Sequence, residues 1–292
     1  MTSNSETAPK PEGQRMRSGK LADLGVRVMS AVIMAAVALG AVWIGGWVFA
    51  AFWTAVGIAM LWEWQHLVGG DSVSTRLYVG AGAAALVAGL ASLGHHEAAV
   101  SVLVIGALAS AWLAGRARAL WSGAGVVYVG SMIIAICVLR ASLFYGLLAA
   151  LWLFAVVWTT DVMAYFGGRM IGGPKLWPRV SPGKTWSGFL VGITSGAAAG
   201  CMLALLLTTP GEASVFPLIL LGLATAAVSQ GGDLFESAVK RRFGAKDSGR
   251  MIPGHGGALD RLDSFVFASI FAAVIGTLHK GSVAAAHGLL VW

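Results

Sequence analysis

From Val26 onward the chain passes through apolar stretches about as long as a helix needs to cross a bilayer, roughly 20 residues for a hydrocarbon core of about 30 Å. They fall at 26–44, 47–68, 77–94, 98–114, 119–138, 143–160, 188–208, 215–232 and 264–279. Each is apolar all round and not at alternate positions, which selects helices over a transmembrane barrel. Of the 292 residues 57% are hydrophobic and 11% charged, a balance that excludes an ordinary water-soluble domain. The expected fold is all-α, a polytopic integral membrane protein with about nine transmembrane helices. Cys137 and Cys201 each lie inside an apolar stretch, so neither a disulfide framework nor a thiolate metal site is expected.

The formal charge of +7 is explained by where the cations stand. Of the 20 Lys and Arg residues, all but Arg140 and Lys280 fall in the N-terminal tail or in alternate connections, the pattern of segments kept on the cytosolic side. The charge is thus read as topology, with no nucleic-acid partner expected, the N-terminus inside and the C-terminus outside. Residues 1–24 are polar and aperiodic and read as a disordered cytosolic tail. Residues 25–142 read as a transmembrane scaffold, and 143–292 as a catalytic region carrying two long cytosolic loops, 161–187 and 233–263. A bacterial cytoplasmic membrane with the active site facing the cytosol is the expected setting. Arg140, near the outer face, reads as a snorkelling cation, and residues 281–292 can lie along the outer interface.

The two long loops hold most of the chemistry. Asp233 stands where the eighth span gives way to headgroups; if the helix runs on, Asp233, Ser237, Lys240 and Arg241 share one face, offering a carboxylate for a metal, a hydroxyl and two cations. Beyond a stop at Gly244 come Lys246, Asp247 and His255. Gly256 and Gly257 follow, a glycine pair that lets backbone amides approach a phosphate at a helix start. Asp260, Arg261 and Asp263 open the last span. Asp161 ends an apolar run at the depth of Asp233 and Asp263, so three spans bring an acid to one interface. Ser181, Lys184 and Thr185 supply hydroxyls and an ammonium for phosphate oxygens, in a string without Walker A spacing. Each feature has a plainer reading: Lys240 to Arg242 as topology determinants, the glycine pair as a turn, Asp260 and Asp263 as partners of Arg261 or Lys246. Together they suit Mg²⁺-dependent phosphoryl or nucleotidyl transfer, because Mg²⁺ takes oxygen ligands and shares phosphate oxygens with a substrate.

The run Ser237-x-Val239-Lys240-Arg241-x4-Lys246-Asp247-x-Gly249-x2-Ile252-Pro253-x-His255-Gly256-Gly257-x2-Asp260-Arg261-x-Asp263 resembles the signature of the phosphatidate cytidylyltransferase (CDP-diacylglycerol synthase) family. Ala258 stands where that pattern has a bulkier aliphatic residue. The string Ser181-Pro182-Gly183-Lys184-Thr185-Trp186 is similar to a second family segment, with Gly183 and Ser187 in place of Lys and Glu. The resemblance implies transfer of cytidylyl from CTP to phosphatidate in the bilayer, with Mg²⁺; a second, monovalent cation is compatible with it. On matching positions it implies Asp233 and Asp260 as metal ligands and Ser237 beside substrate phosphate. Ser237, Lys240, Arg241, Lys246, Asp247, His255 and Asp263 form the candidate catalytic set, and Asp161, Ser181, Lys184, Thr185, Gly256, Gly257 and Arg261 the candidate substrate-binding set. His255 reads as a loop-shaping or phosphate-contacting residue, since the reaction demands little proton transfer. A homo-oligomer is compatible with the sequence.

Two other functions fit part of the pattern. A CTP-dependent kinase of a polyprenol or phytol could use the same acids and cations, and the full 237–263 signature favours phosphatidate. An anion transporter should show charges at mid-bilayer or broken helices in paired repeats, and neither is evident. Within the scaffold one polar pair stands out, Glu63 and His66 at i, i+3, flanked by Trp62 and Trp64. It reads either as a mutually hydrogen-bonded pair at an interface or as a metal or proton-relay site.

Overall fold

A computed structural model describes residues 12–249, 251–252 and 256–292, with the side chains of 12–24, 26 and 27 left out. Of the expected disordered tail, 1–11 and likewise His255 lie outside that range, whereas 12–24 are helical, the start of a helix that runs on into the first apolar stretch. Ten helices and one hairpin make up the described chain: α1 (Glu12–Ile44), α2 (Gly46–Val68), α3 (Val73–Ser92), α4 (His96–Leu113), α5 (Ala119–Ala141), α6 (Gly146–Ile171), β1 (Lys175–Trp177), β2 (Ser181–Thr185), α7 (Trp186–Leu207), α8 (Val215–Arg242), α9 (Leu259–Lys280) and α10 (Ala285–Leu290). Eight of them, α2 to α9, are long and apolar enough to cross a membrane, and α1 adds a shorter apolar part, Val28–Ile44. The chain is an all-α polytopic membrane protein, and each expected span is found as a helix.

Side chains that would meet lipid on one face pack on the other around α5, whose apolar stretch is 78% buried. Aromatic rings fill the seams: Trp53 of α2 stacks on Phe265 of α9 with centroids 5.0 Å apart. Trp64 stacks on Tyr128 at 5.3 Å and donates its indole N–H to the Trp121 carbonyl, 2.7 Å away. Between α6 and α7 the contact is backbone to backbone. Gly188, Gly192 and Gly196 recur every fourth residue, so they line one face of α7. A Cβ on any of them would run into the Ala164 carbonyl, the Thr160 carbonyl or the Thr160 hydroxyl.

Helix ends sort into two groups. The C-terminal ends of α2, α6 and α8 gather with the starts of α7 and α9, as the contacts of Glu63, Lys184 and Asp161 show. At the opposite end Tyr145 bonds Thr209 (2.9 Å) and Glu212, and the Ser142 hydroxyl accepts from the Ala286 amide at 3.2 Å. The alternation read from the cations is therefore present in the packing. Arg140 does more than snorkel: its Nε donates to the Val42 carbonyl at 2.8 Å, closing the C-terminal end of α1. Residues 285–290 form a helix packed on α9 with Ala285, Ala286, Leu289 and Leu290 buried, in place of a strip along the interface.

Candidate active site

Both long loops are shorter than the apolar pattern suggests, because their spans continue as helix past the first acid. α6 runs ten residues beyond Asp161 and α8 nine beyond Asp233. The rest of the first loop folds into a small antiparallel hairpin, Lys175 opposite Thr185 and Trp177 opposite Ser181. Thr185 then caps α7, its Oγ1 accepting from the Gly188 amide at 3.1 Å. These overshooting helices, the hairpin and the start of α9 enclose a cavity of about 670 Å³.

Three acids, Asp161, Asp233 and Asp263, line that cavity together, as their common depth suggests, with Asp260 beside them. Lys184 reaches across from the hairpin to Asp233 at 2.7 Å and donates to the Gln230 side-chain oxygen at 3.0 Å. Gln230 in turn donates to Asp161 Oδ1 at 3.1 Å, which also accepts from the Ser264 hydroxyl at 3.4 Å. Ser237 donates to Asp233 Oδ1 at 3.3 Å, as their i, i+4 spacing on α8 requires. One continuous polar chain thus links α6, the hairpin, α8 and α9.

A second set of contacts centres on Lys240. Its ammonium lies 2.6 Å from Glu236 and 2.7 Å from Asp260, bridging α8 to α9. Glu236 is fully buried, so the pair is held where water does not screen it. Asp260 also accepts from the amides of Ser248 (3.2 Å) and Gly257 (3.0 Å).

The remaining candidates separate into those at the cavity and those away from it. Ser181, Thr185 and Arg261 line it. Arg241 is turned outward, donating to the Ala245 carbonyl at 3.2 Å; a helix face spanning 233 to 241 is too wide for both ends to look into one cavity. Lys246 and Asp247 are exposed in the turn after α8 and do not line the cavity. Gly256 and Gly257 were expected to offer amides to phosphate, but Gly257 gives its N–H to Asp260, and the next two amides, of Ala258 and Leu259, go to Glu63. Glu63 and His66 do not bond each other: Glu63 is buried in those contacts, and His66 sits outside against the Trp62 carbonyl, 2.7 Å away.

Sequence reasoning passed over Gln230, Glu236 and the α6 extension with Tyr165, Gly168 and Arg169. A signal existed for the first two, a polar residue three before Asp233 and an acid four before Lys240. The α6 extension carries none, since Val162, Phe166, Met170 and Ile171 look like membrane residues and are exposed, while Tyr165, equally exposed, lines the cavity.

The donor set fits a magnesium ion. Four carboxylates facing one cavity are hard oxygen donors, and the Lys184 ammonium already places a cation against Asp233. Among the described residues no three His, Cys, Asp or Glu side chains converge on one point. A magnesium ion held here would therefore take one or two carboxylates and complete its shell from phosphate oxygens and water.

Comparison with known proteins agrees with this geometry. The sequence model of the cytidylyltransferase family matches residues 25–279. A phosphatidate cytidylyltransferase of Brucella abortus is 40% identical over 264 residues, covering 88% of this chain and 95% of its own length. Enzymes of that name from Haemophilus influenzae and Staphylococcus haemolyticus are 43% identical over 134 residues and 45% over 122, covering 44% and 42% of this chain and 45% and 46% of their own. With a match reaching from the first span through the polar cavity to the last, the chain belongs to the cytidylyltransferase family.

Proposed function

We propose that this chain is a membrane-embedded phosphatidate cytidylyltransferase, transferring cytidylyl from CTP to phosphatidate and releasing pyrophosphate. The observation that carries the reading is the cavity itself. Its wall joins acids and cations from four elements, and the outer faces of the helices that form it are apolar. Such a site is open to a water-soluble triphosphate and flush with a lipid headgroup. Placement in a bacterial cytoplasmic membrane with the cavity toward the cytosol belongs to the same proposal, supported by the Lys and Arg bias of the connections.

The chemistry needs few proton transfers. A phosphatidate oxygen attacks the α-phosphorus of CTP, the bond to the β-phosphate oxygen breaks, and pyrophosphate leaves with the electron pair. The nucleophile is already an oxyanion, so the protein must bring two anions together and hold them in line. Lys184 is placed to meet a phosphate entering beside Asp233, and Arg261 and Ser181 line the same space. Gln230 and Ser264 keep Asp161 turned into it. Asp233 and Asp260 are the residues that would hold Mg²⁺, which when bound lowers the charge on the triphosphate and on the departing pyrophosphate. Lys240 is committed to Glu236 and Asp260 and so sets where α9 presents its acid.

The test uses purified protein in detergent micelles with phosphatidate and Mg²⁺. Label from CTP carrying ³²P at the α-phosphate should enter the lipid extract, and label at the γ-phosphate should not. The reverse, with a polyprenol as acceptor, would identify a lipid-alcohol kinase and overturn the reading.

A further inference from the structure

Glu63 belongs to α2, in the part of the chain that reads as scaffold, yet its contacts are all with the loop that leads into the active site. Its carboxylate is fully buried. Oε1 accepts from the Ala258 amide at 3.0 Å; Oε2 accepts from the Leu259 amide at 2.8 Å and from the Ser248 hydroxyl at 3.1 Å. Ala258 is the N-cap position of α9 and offers no side-chain cap of its own. The first amides of α9 therefore take their acceptor from a helix 195 residues earlier in the chain, and the positive end of the helix dipole offsets the buried charge.

The loop is shaped around this carboxylate. A Cβ on Gly249 would lie 2.5 Å from Oε1, and one on Gly257 would lie 2.5 Å from Oε2. Ser248 ties the arrangement to the site, because its hydroxyl holds Glu63 while its amide donates to Asp260. On the other side α2 is firmly anchored. The Gln65 Oε1 accepts from Arg76 at 3.2 Å and Ser122 at 2.9 Å, and Arg118 donates to the Val68 carbonyl at 3.1 Å.

We infer that Glu63 is a positioning residue of the active centre, fixing the start of α9 so that Asp260 and Asp263 face the cavity. The inference rests on the cytidylyltransferase reading for its kinetic consequence and on contacts alone for its structural one. Glu63→Gln is nearly isosteric but presents one acceptor oxygen where three donors converge, leaving a buried N–H facing an NH₂ group.

The experiment compares wild-type, Glu63→Gln and Ser248→Ala full-length proteins in phosphatidate micelles, per amount of monodisperse protein. Glu63→Gln should lower kcat roughly ten- to a hundredfold, as loss of a supporting contact to a ligand does. Both KM values should stay within about twofold, because substrate contacts are untouched. Hydrogen exchange at the Ala258 and Leu259 amides should quicken while exchange in α5 does not change. Ser248→Ala, which leaves no amide unpaired, should lower kcat in the same sense and by less. Wild-type kcat in Glu63→Gln, or a lower kcat with unchanged exchange at 258 and 259, would overturn the inference. If Glu63→Gln yields no monodisperse protein, an unchanged kcat in Ser248→Ala overturns it. Failure of the activity reading itself would show separately, as a wild-type protein that transfers no cytidylyl label, with the exchange result unaffected.

Discussion

At the scale of single residues, each acid at the cavity has a distinct set of partners, and that decides what its loss does. Asp233 and Asp260 are each met by an ammonium and by hydroxyl or amide donors, so the nearly isosteric change to Asn keeps the shape, removes the charge and turns one acceptor oxygen into a donor. Asp233→Asn and Asp260→Asn should each abolish measurable turnover, since a lost metal ligand removes several kcal/mol of charge stabilisation. Both proteins should remain monodisperse on size-exclusion chromatography, and near-normal activity in either would remove that residue from the metal site. Lys240 differs because it is the cation paired with the buried Glu236, whose other charged neighbour, Asp260, is itself an acid. Lys240→Met should therefore destabilise the protein by about 3–5 kcal/mol, the cost of stranding a buried charge. Adding Glu236→Gln should recover much of that loss in a thermal unfolding series.

Elements carry the next level of the design. The close approach of α6 and α7 exists because glycines at four-residue spacing leave room for carbonyls of the opposite helix. That approach sets the distance between Asp161 on α6 and Thr185 and Lys184 at the start of α7, hence one wall of the cavity. Gly196→Val places methyl groups against Thr160 and Val156, and overpacking of this kind costs about 1–3 kcal/mol. A lower melting temperature and a rise in KM for CTP are expected, the second because Lys184 moves with the helix. Unchanged melting would mean that the two helices are not held by this seam. Helix ends were the least legible feature. Nothing in the apolar count says that α6 continues past Asp161, because Val162, Tyr165 and Phe166 are apolar whether a span ends or goes on.

For the whole molecule, the alternation of helix directions places the ends of α2, α6 and α8 together, and this makes a site from distant segments. The same alternation predicts sidedness. With Cys137 and Cys201 both buried, single cysteines at Lys246 and at Ala98, both exposed, should react with an impermeant thiol reagent from opposite faces of sealed vesicles. The Lys246→Cys protein should react from the cytosolic face. Reaction of both from the same face would contradict a nine-span chain, because the five helices between the two positions, α4 to α8, place them on opposite faces.

What the sequence by itself determined is what depends on local composition and on spacing along one helix. Hydrophobic length sets the spans, basic residues set the alternation, and i, i+4 spacing sets Ser237 beside Asp233. The common depth of Asp161, Asp233 and Asp263 follows from counting residues after an apolar run, and the cavity brings those three together. Tertiary structure alone decided which partners are taken. Arg241 faces out because the helix turns it past the cavity. The amides of Gly257, Ala258 and Leu259 are spent on Asp260 and Glu63 because α2 packs against the start of α9, a contact across nearly 200 residues that no local pattern encodes. A buried donor takes the nearest acceptor that folding supplies, and its identity is a property of the packed helices.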